Sequence, residues 1–360
     1  MSSHVVFGAG LIGSFLGACM HHLGINVALV CRASVRNKLA KGVTLTDYQE
    51  HQAHAEKLNF LDSDVLAKLS AEQINCDFLW LTVKCHSVEQ AVQDIKPLVN
   101  KDTVILCCQN GLGSDKQVKD AFPDNIVLRV MVPFNVVELE KGHLHRGSQG
   151  HLTIEQSSQA NISSDLVNLL NSPLLPVALT QDMQALLWAK LQLNLGNSIN
   201  ALADIPVKSM LEQRGYRLVI ATLMQELLAV SNELGLTLPK VTSVPASVIP
   251  YVLKLPNFLF TRVANKMLAV DPTVRTSMWW DMSQGKPTEI AYLNGAVVDT
   301  GMRIGVSTPA NKRIVALIKA LSHDNEKKVD GSGANTNGNA GKTVNLTRPV
   351  SAKQLQKLIG

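Results

Sequence analysis

The sequence predicts a parallel, doubly wound α/β sheet followed by an all-helical domain, and three features carry that prediction. Short apolar runs alternate with amphipathic stretches from the N-terminus to about residue 135, as βαβ units require. A glycine-rich turn from Gly8 to Gly13 follows the first of these runs. After Thr180 the strand patterns give way to helical periodicity. With 360 residues, 46% hydrophobic and 18% charged, the chain can fill two cores, which excludes a mainly disordered, collagen-like or disulfide-scaffold protein.

His4–Phe7 reads as the first strand, Leu11–Leu23 as a helix closed by Gly24, and Val27–Cys31 as the second strand. Phe78–Val83, Thr103–Cys107 and Ile126–Val132 are further buried strands, separated by helical patterns at Val88–Leu98 and Gly113–Phe122. From about Val136 to Glu155, short alternating segments around Gly142 and Gly147 read as an antiparallel extension. Gln184–Leu202, Tyr216–Leu234, Thr288–Met302 and Ala310–Leu321 carry helical periodicity, with Thr308 and Pro309 as an N-cap and first-turn pair. His323–Val344 is rich in Asn, Gly, Lys and Asp and reads as disordered, and Ser351–Ile359 as a short terminal helix. The expected organisation is therefore an α/β domain at 1–180, a helical domain at 181–322, and a tail at 323–360. That tail is expected to be dispensable, because it has too little apolar content to join either core.

Lys and Arg exceed Asp and Glu by 34 to 29, a formal charge of +5, with no block of like charges. Nucleic acid is a poor partner for such a chain, whereas anionic small molecules remain suitable. Cys19, Cys31, Cys76, Cys85, Cys107 and Cys108 lie in apolar stretches without a C-x-x-C pair, as reduced thiols of a cytoplasmic protein would. The apolar start from Val5 to Cys19 lacks a basic flank and is interrupted by Gly8, Gly10, Gly13 and Gly17, so it reads as strand, turn and helix and not as a signal or membrane segment. His143, His145 and His151 have no partners at metal-ligand spacing, and no metal site is expected.

Gly8-Ala9-Gly10-Leu11-Ile12-Gly13 fits G-x-G-x-x-G between a strand and a helix, the context in which that motif marks a Rossmann-type dinucleotide site. Arg32 ends the second strand, where an NAD-binding chain usually carries an acidic residue. A guanidinium there suits the 2′-phosphate of NADP, with Arg36 or Lys38 near enough to assist. Lys84 and Asn110 follow two further strand ends, where ligands of open α/β sheets lie; Lys84 suits a phosphate or carboxylate and Asn110 the nicotinamide or substrate. His86 reads as an exposed loop histidine. In the second domain Lys190, Asn194 and Asn197 recur at helical spacing, with Ser198 beside them, on an otherwise apolar helix. A stripe of that composition is predicted to face a ligand or a water-filled cleft. Glu289 falls in the first turn expected after Pro287, where helix capping alone could explain it.

These residues resemble the ketopantoate reductase (2-dehydropantoate 2-reductase) family. The matching features are GAGLIG at 8–13, Arg32, Lys84 in TVK, Asn110 in QNG, WAKLQLNLGNSINAL at 188–202, Ser277 and Glu289 within TSMWWDMSQGKPTEI, and LNG at 293–295. The resemblance implies reduction of ketopantoate to pantoate by NADPH, for pantothenate and coenzyme A synthesis. It implies Lys190 as general acid, Asn194 and Asn110 as substrate-holding residues with Asn197 and Ser198 beside them, and Ser277 on the substrate carboxylate. Glu289 would hold the ribose and the neighbouring substrate hydroxyl, as a further catalytic residue. The expected partner is a small 2-keto acid, and a homodimer is left open. Ser198 stands where the family pattern has a second asparagine, and Val207 and Lys208 where a further one would fall. That departure leaves as an alternative a paralogue reducing another branched or bulky 2-keto acid; a reading of a different class, a non-catalytic NADP-binding sensor on the same fold, has Lys190 against it.

Overall fold

The computed structural model describes residues 2–62, 75–159, 161–264, 273–329 and 348–360, and the side chains of 323–329 lie outside that description. The first apolar run forms β1 (Ser3–Phe7), turns through the glycine loop into α1 (Leu11–His22), and returns as β2 (Asn26–Val30) parallel to β1. Then come α2 (Ala33–Leu39), β3 (Val43–Asp47), β4 (Gln52–Ala55), β5 (Asn59–Leu61), β6 (Phe78–Leu81), α3 (Val88–Asp94), β7 (Val104–Cys107), α4 (Ser114–Ala121) and β8 (Val127–Met131). β9 (Val136–Glu140), β10 (His143–Arg146), β11 (Leu152–Glu155), α5 (Ile162–Leu170) and β12 (Val177–Thr180) complete this part.

The main sheet runs β12-β11-β8-β7-β6-β1-β2-β5, parallel throughout except where β11 meets β8. Its strands are apolar on both faces, as a sheet covered on both sides requires. Val6 and Trp80 enter one core cluster while their neighbours Val5, Leu79 and Leu81 enter the other. The strand order reverses between β1 and β6, so the loops leaving their carboxyl ends diverge there, at the position where such sheets bind ligands.

The antiparallel extension expected at Val136–Glu155 is only partly correct. β11 does extend the main sheet, but the β9–β10 hairpin joins a separate sheet, β4-β3-β10-β9, in which β10 is parallel to β3. The sequence reading assigned no strand to residues 43–61, because β3 and β4 alternate apolar with polar residues over only five and four positions. Asp47 and Arg146, both buried, join β3 to β10 through a 2.6 Å ion pair. His143 and His145 both hydrogen bond with Thr46 on β3.

The chain divides into two compact units, Met1–Gln184 and Ala185–Gly360. The second begins within α6 (Met183–Asn194) and continues through α7 (Gly196–Ala203), α8 (Val207–Glu212), α9 (Arg214–Glu233), α10 (Ile249–Lys254), α11 (Asn257–Val263), α12 (Ser277–Ser283), α13 (Asn294–Ile304), α14 (Pro309–Val329) and α15 (Ala352–Ile359). The single helix expected over Gln184–Leu202 is thus two, divided at Leu195. The helix expected from Thr288 starts instead at Asn294. Before it the amides of Tyr292 and Leu293 donate to the Glu289 carbonyl, and Leu293 has non-helical dihedrals. No helix among the described residues is long and apolar enough to cross a membrane.

The expectation for the tail needs correction at both ends. Helix α14 continues to Val329, past the boundary at Ser322, and residues 348–360 pack into the second unit. Most of the segment expected to be disordered, from 330 onward, lies outside the described residues. Ser351 and Gln354 form a reciprocal capping box that starts α15, and Val350 and Leu355 are 1% and 0% exposed. A side chain at Gly215 on α9 would put its Cβ 2.7 Å from that of Ala352, so the glycine admits the closely packed terminal helix. Average composition missed this docking because the two buried side chains sit at the end of a polar stretch. Leu355→Ala should therefore destabilise the second unit by about 2 to 4 kcal/mol in denaturant titration. An unchanged midpoint would restore the dispensable tail.

Candidate active site

In the first unit the glycine loop is shaped by close approaches. Gly8 has φ +88°, and a Cβ there would strike Val83 on the loop after β6, whose amide nitrogen would stand 2.9 Å away. A Cβ at Gly13 would strike the Thr82 hydroxyl, so this glycine brings α1 against that same loop. Gly10 is different: it is exposed, and an added Cβ would meet only the Gly8 carbonyl at 3.9 Å. Open space therefore stands over the second glycine, beside first-turn amides of α1 that lack intrahelical acceptors. Ala9 is buried, Ile12 half-buried and Leu11 exposed. A pyrophosphate fits a loop with this geometry, since the backbone can be approached where no side chain intervenes.

Arg32 sits one residue beyond Cys31 as the N-cap of α2, exposed and without an ion pair among the described residues. The two cations expected to assist it are engaged. Arg36 lies 3.5 Å from Asp62 just beyond β5, and Lys38 lies 2.6 Å from Glu138 on β9. Lys84 is exposed at the start of a short 3-10 turn, Cys85–Ser87, within which His86 is also exposed. Asn110 is exposed beyond β7, and its carbonyl accepts from Cys85 Sγ at 2.9 Å, which ties the two loops together. Arg32, Lys84, Asn110 and the glycine loop thus all leave the carboxyl ends of neighbouring strands.

Arg129 was missed by the sequence reading. Buried on β8, it makes a 2.6 Å ion pair with Asp115 and donates to the carbonyls of Gln109 and Gly111, on either side of Asn110. The signal was present as an arginine inside the apolar run IVLRVM. All six cysteines are free thiols; burial pushes Cys76 and Cys107 up to about 12 and also raises Cys19, Cys31 and Cys108.

In the second unit, Trp188, Ala189, Leu191 and Leu195 are almost fully buried, while Lys190, Asn194 and Asn197 are half-buried. Leu195, where the two helices meet, keeps right-handed helical dihedrals. The side-chain amides of Asn194 and Asn197 make no hydrogen bond to a described residue, so they are available to a ligand. Burial lowers the Lys190 ammonium from 10.5 to about 8. Ser198 does not join the stripe: it is 0% exposed, and its hydroxyl donates to the Leu195 carbonyl at 2.9 Å. Ser277 is exposed as the first residue of α12, whose N-cap Thr276 accepts from the Trp279 amide. Glu289 is 9% exposed and lies in the turn before α13, so helix capping no longer explains it.

Thr276 and Asn200 were also missed. The buried Asn200 amide oxygen accepts from the Thr276 amide at 3.1 Å and from its hydroxyl at 3.2 Å, fixing the start of α12 against α7. Within this unit the structure therefore links the helices that carry Asn197 and Ser277.

The ketopantoate reductase PanE/ApbA family matches residues 4–159, and its C-terminal domain matches 182–322. A 2-dehydropantoate 2-reductase of Vibrio cholerae is 24% identical over 320 residues, covering 88% of this chain and 97% of that one. The crystal structure of a PanE/ApbA family ketopantoate reductase from Ralstonia eutropha superposes with a TM-score of 0.73 at 24% identity, over 90% of this chain and 99% of the other. D-mandelate dehydrogenase, solved with NADH and anilino(oxo)acetate, shares the fold with a TM-score of 0.71 at 20% identity, over 90% and 99% of the two chains. With matches spanning both units, at 4–159 and 182–322, the chain belongs to the ketopantoate reductase family, oxidoreductases that act on a CH–OH group with a nicotinamide dinucleotide.

Proposed function

We propose that this chain reduces 2-dehydropantoate to pantoate with NADPH, a cytoplasmic step toward pantothenate and coenzyme A. The observation that carries this reading is the half-buried Lys190, with a pKa lowered to about 8, at helical spacing from two available asparagine amides on a largely buried pair of helices. The glycine loop would hold the pyrophosphate, Arg32 the 2′-phosphate, and Lys84 and Asn110 the nearby phosphate, nicotinamide or substrate groups. A bound nicotinamide dinucleotide would supply a hydride, a proton with two electrons, to the keto carbon. As negative charge grows on the keto oxygen, the Lys190 ammonium stabilises it and transfers its proton, giving the hydroxyl. Asn194 and Asn197 orient the keto acid, Ser277 accommodates its carboxylate, and Glu289 holds the ribose and the substrate hydroxyl. A homodimer remains the proposed assembly, and Tyr251 and Phe258, each 65% exposed, supply apolar surface for it.

A second reading has support from Ser198. Its hydroxyl is tied to the helix backbone, so it offers nothing to a substrate where the family pattern has an amide. A less polar, bulkier 2-keto acid would suit such a site. Both readings are tested by following NADPH oxidation with ketopantoate, 2-ketoisovalerate, pyruvate and benzoylformate. The highest kcat/KM is expected with ketopantoate; a preference for benzoylformate would establish the second reading, and turnover of none would leave the NADP-binding sensor.

A further inference from the structure

The C-terminal segment reaches the second unit at one place that bears on the proposed site. Beyond the residues matched by the family, Val350 donates its amide to the Leu202 carbonyl at 2.9 Å, in the last turn of α7, and accepts from the Tyr216 hydroxyl at 3.0 Å. Arg348 Nη2 lies 3.2 Å from Asp204 Oδ1, at the C-cap of the same helix. Asp204 Oδ1 also accepts from the Trp279 indole at 2.5 Å and lies 3.5 Å from Arg275, whose guanidinium stacks 4.2 Å over the Trp279 ring. One carboxylate thus joins three pieces of chain: the end of α7, the start of α12 and the C-terminal segment.

We propose that Arg348 is a positioning residue for substrate binding, which locks α7 to α12 through Asp204 and so sets the spacing between Asn197 and Ser277. This rests on the reading that those two side chains hold the keto acid. The connection is short. Thr276, directly before Ser277, donates to the Asn197 carbonyl at 3.3 Å and to Asn200 Oδ1, while Trp279 on the same helix turn is pinned to Asp204. A shift of α12 against α7 would move the serine relative to the asparagine by the same amount.

Electrostatics argue against a purely stabilising role. Two guanidiniums share one carboxylate, and Arg348 is 14% exposed, with Nε and Nη2 lacking hydrogen-bond partners among the described residues. Burial lowers the Arg348 pKa, Asp204 raises it and Arg275 lowers it again. A buried cation that is incompletely paired adds little net stability compared with an apolar side chain of similar length, whereas it fixes geometry well. Loss of Arg348 should therefore alter substrate affinity more than folding.

The experiment compares Arg348→Met, Arg348→Lys, Asp204→Asn and Ser277→Ala with the unmodified chain, using the keto acid it turns over best. Arg348→Met should raise the KM for that acid by about five- to tenfold, with kcat within about twofold, because a small misplacement of binding groups weakens ground and transition states alike. Its Tm and its Kd for NADPH, measured by cofactor fluorescence, should stay unchanged. Arg348→Lys should recover part of the affinity. Asp204→Asn is an isosteric check that keeps a residue tolerant of the left-handed backbone (φ +55°) and should reproduce the rise in KM. A normal KM in Arg348→Met, or a fall in Tm and kcat with KM unmoved, overturns the proposal. Ser277→Ala separates the two layers: if it leaves KM unchanged, the substrate-site reading itself is wrong, whereas a raised KM there with a normal Arg348→Met removes the positioning role alone.

Discussion

Lys190→Ala should lower kcat for keto acid reduction by about 10² to 10⁴ while leaving the Kd for NADPH nearly unchanged. The asparagines beside it are neutral and have no proton to give near pH 7, so no neighbour on the stripe can replace the ammonium. Lys190→Arg should rescue little, because a guanidinium retains its proton throughout the working range. With the Lys190 pKa lowered to about 8, kcat/KM for reduction should fall as pH rises through that value, as the acid form is lost. The same burial has a cost in stability. The folded chain holds this proton less tightly than the free side chain, with its pKa of 10.5, so stability should rise with pH between about 8 and 10.5. Below that window the charged lysine is a burden of at most about 3.5 kcal/mol, and Lys190→Met should raise the Tm at pH 7 while it lowers turnover. A lysine variant with normal kcat would remove the mechanism, and one that lost NADPH binding would move Lys190 to the cofactor.

What the sequence disclosed follows how local each signal is. β1, β6 and β7 are short apolar runs buried on both faces, and the glycine loop needs only the strand and helix on either side of it, so both are legible from neighbouring residues. β3 and β4 were not, because such short strands of alternating polarity are specified by their partners: β3 pairs with β10, nearly a hundred positions away, and β4 only with β3. The lysine–asparagine stripe was visible as helical spacing on an apolar background. Ser198 was assigned to it by adjacency alone, and one residue along a helix is a rotation of about 100°, enough to turn a hydroxyl from the stripe into the core. Arg129, Thr276 and Asp204 escaped because each acts on residues distant in sequence. The docking of α15 rests on two buried side chains and a glycine on another helix, which composition averages away.

The preference for NADPH should rest mainly on Arg32. Arg36 and Lys38, which could have shared the task, have partners in Asp62 and Glu138. Those pairs are half-exposed and weak, so either cation could still lend some charge at low salt. Arg32 has no such competitor among the described residues. Arg32→Asp should cost roughly 2 to 4 kcal/mol of NADPH binding, about 30- to 10³-fold in Kd, by removing a charge-assisted contact and placing a carboxylate against the 2′-phosphate. NADH has a hydroxyl at that position, so its Kd should hold or improve, since the new carboxylate can accept from it. Fluorescence titration with both cofactors reads this without turnover. Equal affinity for NADPH and NADH in the unmodified chain, or an Arg32→Asp variant whose preference is unchanged, would assign the 2′-position to other residues and leave the chain a nicotinamide-dependent reductase without the NADP selectivity proposed for it.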